Sequence, residues 1–80
     1  MNDMSEAPNG RALAAIDAET LIARAISAAD RIEAHCLFNL AAARGAQDAV
    51  RLRKELAAEM TPAEIALAQR RARAFADRRH

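Results

Sequence analysis

Alanine occupies 23 of the 80 positions, and no other feature narrows the fold so far. Alanine loses no side-chain entropy in a helix and heads the propensity scale, with Leu, Arg and Glu close behind. Those four types dominate here, while Gly and Pro number two each and Val appears once. No segment alternates apolar and polar residues as a half-buried strand must, so the chain reads as all-α. The same alanines thin the core. Of 42 apolar residues, 23 are Ala, and Trp and Tyr are absent, so the real core volume rests on Leu, Ile, Met and Phe. A chain of this length buries only roughly 60% of its unfolded surface, so a second copy of the chain or another protein is expected to add stability.

Residues 1–16 open with Met-Asn-Asp-Met-Ser-Glu-Ala-Pro-Asn-Gly, a polar run closed by an Asn-Gly turn signal, and read as an N-terminal arm. Residues 17–80 read as one helical domain. After Asp17, a plausible N-cap, Ile22, Ile26, Ala29, Ile32, Cys36, Leu40 and Ala43 recur at steps of three and four. This stripe predicts a long helix near 18–44, or two shorter helices broken near Ser27–Asp30. Gly45 stops it at the C′ position, where a left-handed backbone costs Gly nothing. Ala49, Leu52, Leu56 and Met60 mark a second helix near 46–60, with Arg51, Lys54, Glu55 and Glu59 on its solvent side. Thr61-Pro62-Ala63-Glu64 is the sharpest local signal: Thr61 as N-cap, Pro62 at N1 and Glu64 at N3 make a capping box, with Met60 and Ile65 placed as a hydrophobic staple. A third helix follows to 77, turning Ile65, Ala68, Ala72, Phe75 and Ala76 inward and Gln69, Arg70 and Arg73 outward. Short connections make neighbours antiparallel. The expected architecture is an antiparallel α-hairpin bundle of three helices, or four if the first segment breaks. Its expected large core residues are Ile32, Leu37, Phe38, Leu40, Leu52, Leu56, Met60, Ile65 and Phe75.

Residues 33–76 resemble a Sel-one-like repeat, a relative of the tetratricopeptide repeat. Ala34, Phe38, Ala41, Ala42, Gly45 and Ala49 match the pattern A-x-x-W-[YF]-x-x-A-A-x-x-G-x-x-x-A. The run Met60-Thr61-Pro62-Ala63-Glu64-Ile65-Ala66-Leu67-Ala68-Gln69, continued to Phe75, is similar to the terminal segment M-T-P-x-[QE]-I-A-x-A-Q-x-x-A-x-x-W of many bacterial arrays. Leu37 and Phe75 stand where that family carries Trp. The resemblance implies the capping end of an α/α solenoid and a non-enzymatic adaptor or assembly factor that binds another protein.

Catalytic constellations are wanting. His35 and Cys36 point about 100° apart on a helix, and with one Cys and only His80 besides, a zinc site lacks ligands. Ser27, Asp30 and His35 hold the letters of a triad, but Ser27 and His35 fall about two turns apart. Glu55 and Glu59 sit on a solvent face, and no phosphate-binding Gly-rich loop occurs. No catalytic residue, metal or cofactor is therefore expected. Two interaction surfaces are. Leu21, Ile22, Ile26 and Ala29 lie outside the family-like region and form an apolar strip awaiting a partner. Arg70, Arg71 and Arg73, with Arg78 and Arg79, concentrate charge: residues 41–80 carry nine basic against five acidic groups (+4), residues 1–40 three against six (−3). Such a cluster suits an acidic protein surface or, as the alternative reading, nucleic-acid phosphates, although base-stacking aromatics are missing. With a single Cys, no signal peptide and no apolar run of ~18 residues, a cytoplasmic protein that does not insert into membranes is expected.

Overall fold

The structure, a computed structural model, describes residues 16–77, with side chains as far as Phe75. The N-terminal arm apart from Ile16, the inward side chain expected at Ala76, and the basic tail residues Arg78, Arg79 and His80 lie outside the described residues. Within them stand four α-helices: α1 Ala18–Ile26, α2 Arg31–Ala43, α3 Gln47–Ala57 and α4 Pro62–Asp77.

The first segment takes the broken form, because two polar side chains compete for the backbone where one helix would have to continue. Ser27 donates its hydroxyl back to the Ala23 carbonyl at 3.2 Å, ending α1. Asp30 then accepts the Glu33 N–H at 2.8 Å and caps α2, as Asp17 caps α1 through Thr20 N–H at the same distance. Asp30 with Glu33 three positions on is a start signal that the uninterrupted apolar stripe conceals.

That break also corrects the stripe. The buried positions are Leu21 and Ala25 on α1, then Ala34, His35, Cys36, Leu37, Phe38 and Ala41 on α2. Of the stripe itself only Cys36 is buried; Ile22, Ile32 and Leu40 are half-buried, and Ile26, Ala29 and Ala43 are exposed. A restart at Asp30 resets the helical phase, and alanines that allow close backbone approach displace the larger neighbours to the flanks.

Gly45 closes α2 as expected. Its φ of 92° is left-handed, and two backbone bonds, Gly45 N–H to Ala42 O at 2.9 Å and Ala46 N–H to Ala41 O at 3.3 Å, complete a Schellman motif. An added Cβ would meet nothing within 4 Å, so the demand for Gly here is conformational alone. α3 starts at Gln47, and its N-cap, Ala46, makes no side-chain cap bond. It ends at Ala57 rather than near 60, because Glu59 and Met60 N–H groups tighten onto the carbonyls of Leu56 and Ala57.

The capping box forms in full: Glu64 N–H donates to Thr61 Oγ1 at 3.1 Å, and Thr61 N–H donates to Glu64 Oε1 at 2.9 Å. Removing the hydroxyl by Thr61→Ala is expected to cost about 0.5–2 kcal/mol, read as a lowered denaturation midpoint; an unchanged midpoint would mean the corner does not depend on its cap. This corner does not fold α4 back onto α3, however. α1, α3 and α4 each pack chiefly on α2. Surrounded in this way, α2 buries five consecutive residues, Ala34 to Phe38, which no one-sided amphipathic helix does. One cluster joins Leu21 and Ala25 to Ala34, Leu37, Phe38, Ala41 and Ala49. Met60, Ala68 and Ala72 are buried beyond it. Most of the large residues expected in the core, including Ile32, Leu52, Leu56, Ile65 and Phe75, end half-buried at its edge.

Candidate interaction surface

The break between α1 and α2 makes an elbow, residues 27–30, and the elbow organises the surface around it. On one side lies an open groove of about 570 Å³ between the elbow and α4. Ala28, Leu37 and Phe75 give it an apolar lining, Cys36 contributes its thiol, and Arg24, Glu33 and Arg71 place charges on it. On the other side, Ile26, Asp30, Arg31 and Leu56 line a shallower depression of about 310 Å³. Ala28 and Ala29 belong to both and form the ridge between them. Arg31 also anchors the elbow's far end, donating from Nη1 to the Glu59 carbonyl at 3.0 Å. A cation there suits the end of α3, where carbonyls are left without helical partners.

The expected apolar strip divides here. Leu21 is 0% exposed and belongs to the core, so it leaves the strip. Ile22 is half-buried against the same core. Ile26 is 69% exposed, the one large hydrophobic residue so open among the described residues, and Ala29 is exposed beside it. Arg70, Arg71 and Arg73 are all exposed on α4, and of these Arg71 reaches the groove. Two surfaces that look separate in the sequence, the strip and the Arg cluster, thus meet at the elbow through Ala29 and Arg71. Arg24 and Glu33 are additions that periodicity alone misses. Placing the break at Ser27 would have put Arg24 in a last helical turn and Glu33 in a first one.

The candidate catalytic groups do not converge. Ser27 spends its hydroxyl on carbonyls of its own helix. Burial pushes the Cys36 thiol up to about 11, with Glu33 adding to the rise and Arg71 opposing it, so at neutral pH it is a protonated thiol rather than a nucleophilic thiolate. His35 is 3% exposed. Its Nδ1 has no hydrogen-bond partner among the described residues. Arg53, which donates to Asn39 Oδ1, lies near enough for its charge to act on the imidazole. Burial first, and Arg53 second, lower the His35 pKa below 6.5. A depressed histidine pKa means that the unfolded chain takes the proton first, so stability is lost as pH falls below about 6.5 and through the lower folded value. Thermal melts at pH 7.5 and 5.5 are expected to show a drop that His35→Gln reduces; equal drops in both proteins would contradict this assignment.

Among the described residues, no helix is long and apolar enough to cross a membrane, and no three His, Cys, Asp or Glu side chains gather as a metal site. Compared with protein-family models, curated proteins and solved structures, the chain matches none.

Proposed function

We propose that the protein is a non-enzymatic interaction module, an adaptor or assembly factor of Sel-one-like type, that engages another protein through the elbow between α1 and α2. The observation that carries this reading is the exposure of Ile26, which lines the shallower depression beside the Ala28–Ala29 ridge. A single exposed aliphatic residue is ordinary on a monomer. An exposed one that overhangs concave, partly apolar surface has the form of an interface anchor, in which a side chain and a neighbouring pocket interlock with a partner. Burying an Ile side chain is worth about 1.5–3 kcal/mol, which a chain with so alanine-rich a core leaves unused while alone. The nucleic-acid reading keeps one supporting observation, the three exposed arginines on α4.

The test is affinity purification of the tagged full-length protein from cells that express it, with and without nuclease. Ile26→Asp should abolish recovery of the partner, whereas Lys54→Glu, at an exposed position of α3 that lines neither depression at the elbow, should not. Both positions are exposed, so each change should alter stability by no more than about 0.5 kcal/mol. Recovery unchanged by Ile26→Asp, or dependent on intact nucleic acid, would overturn the proposal.

A further inference from the structure

We infer that the groove between the elbow and α4 receives an acidic, apolar peptide segment of the partner, whose carboxylates pair with Arg24 and Arg71 while an apolar side chain rests against Leu37, Ala28 and Phe75. This rests on the interaction-module reading and names the chemistry of what the module holds. The charges point the same way. Arg24 and Arg71 are exposed, and neither takes part in the ion pairs that Arg51 makes with Asp48 and Glu55 on α3. Among the described residues that line the groove, Glu33 is the one acid against the two arginines, leaving one positive charge in excess, and Arg70 and Arg73 on the same helix add to the field. The Cys36 thiol adds no negative charge, being protonated. A guanidinium offers its donors as a planar fork that matches a carboxylate in two-point contact, and two such forks on one groove favour an acidic segment over a neutral one.

Shape and lining favour peptide over nucleic acid. A groove of about 570 Å³ has room for side chains of a peptide, and Leu37 and Phe75 offer them apolar contact that a phosphate backbone does not use. Glu33 lines the same groove and would repel a phosphate beside it, whereas a peptide can turn an amide N–H toward its carboxylate. Phe75 is the sole aromatic lining the groove, whereas single-stranded nucleic acid is usually held by successive stacked rings.

The experiment titrates the full-length protein into a short fluorescein-labelled peptide that alternates Leu with Asp and Glu, read by fluorescence anisotropy. A peptide with the acids replaced by Lys serves as control. Saturable binding of the acidic peptide alone is expected, weakened at least about tenfold by Arg24→Glu with Arg71→Glu, as loss of charge-assisted contacts implies. Arg24→Gln with Arg71→Gln, which leaves no repulsive charge, should weaken it less. Circular dichroism confirms that each variant is folded. Absence of binding, equal binding of both peptides, indifference to the arginine changes, or displacement of the peptide by a single-stranded oligonucleotide of equal charge would each overturn the inference. If a partner protein is lost with Ile26→Asp yet retained with both arginines reversed, the groove assignment fails and the interaction module stands.

Discussion

Leu21→Ala is expected to remove about 2–5 kcal/mol of folding stability, the range for deleting a large aliphatic side chain from a closed site. Leu21 is the one large side chain with no exposed surface among the described residues, and it joins α1 to the cluster around Phe38 and Ala41. Domains of this size seldom hold more than about 3–5 kcal/mol in all, so the variant should be largely unfolded, or should have lost α1, near room temperature. Urea denaturation followed by circular dichroism reads this directly. A midpoint close to that of the unaltered protein would mean that Leu21 faces solvent and that α1 does not dock as described.

Ala68→Leu should cost about 1–3 kcal/mol, the usual penalty for forcing extra methylenes into a filled site. In an exposed helix the same exchange is nearly neutral by propensity. Ala68 is 0% exposed on α4, the helix that packs on α2, and the added side chain must push the two backbones apart. The melting temperature should fall by at least about 4 °C, since a domain this small shifts by roughly 4–8 °C per kcal/mol. Ala74→Leu, at an exposed position of the same helix, should leave it almost unmoved. Equal effects at the two positions would show that the alanines do not mediate a close α2–α4 contact.

Signals confined to one turn of chain were legible: the Asp17 cap, the Gly45 stop and the Thr61–Glu64 box depend on a few neighbouring residues and form as read. The buried face of α1 was not. Ile22 and Ile26 together outweigh Leu21 and Ala25 along an unbroken helix, so side-chain size points to the wrong phase. Which face is buried depends on where the helix restarts after the elbow, a matter decided by Ser27 and Asp30 in competition with a strong helical background. The arrangement around α2 was hidden for a further reason. A helix enclosed on several sides loses its amphipathic contrast, and in an alanine-rich chain an alanine in the core cannot be told from one at the surface by its identity. Ala43 is exposed and Ala41 is fully buried, two positions apart. The proposed interaction surface was half legible: Ile26, Ala29 and Arg71 were recognisable as candidates, but Ala29 lining one depression with Ile26 and another with Arg71 requires the chain to turn there.

The most direct test of the interaction surface is photocrosslinking in the cell from single positions of the full-length protein. A benzophenone amino acid at position 26, at the end of α1 beside the elbow, should yield one discrete adduct with a protein, and the same probe at position 54, exposed on α3 and lining neither depression at the elbow, should not. No adduct from position 26, or the same adducts from both positions, would contradict the account.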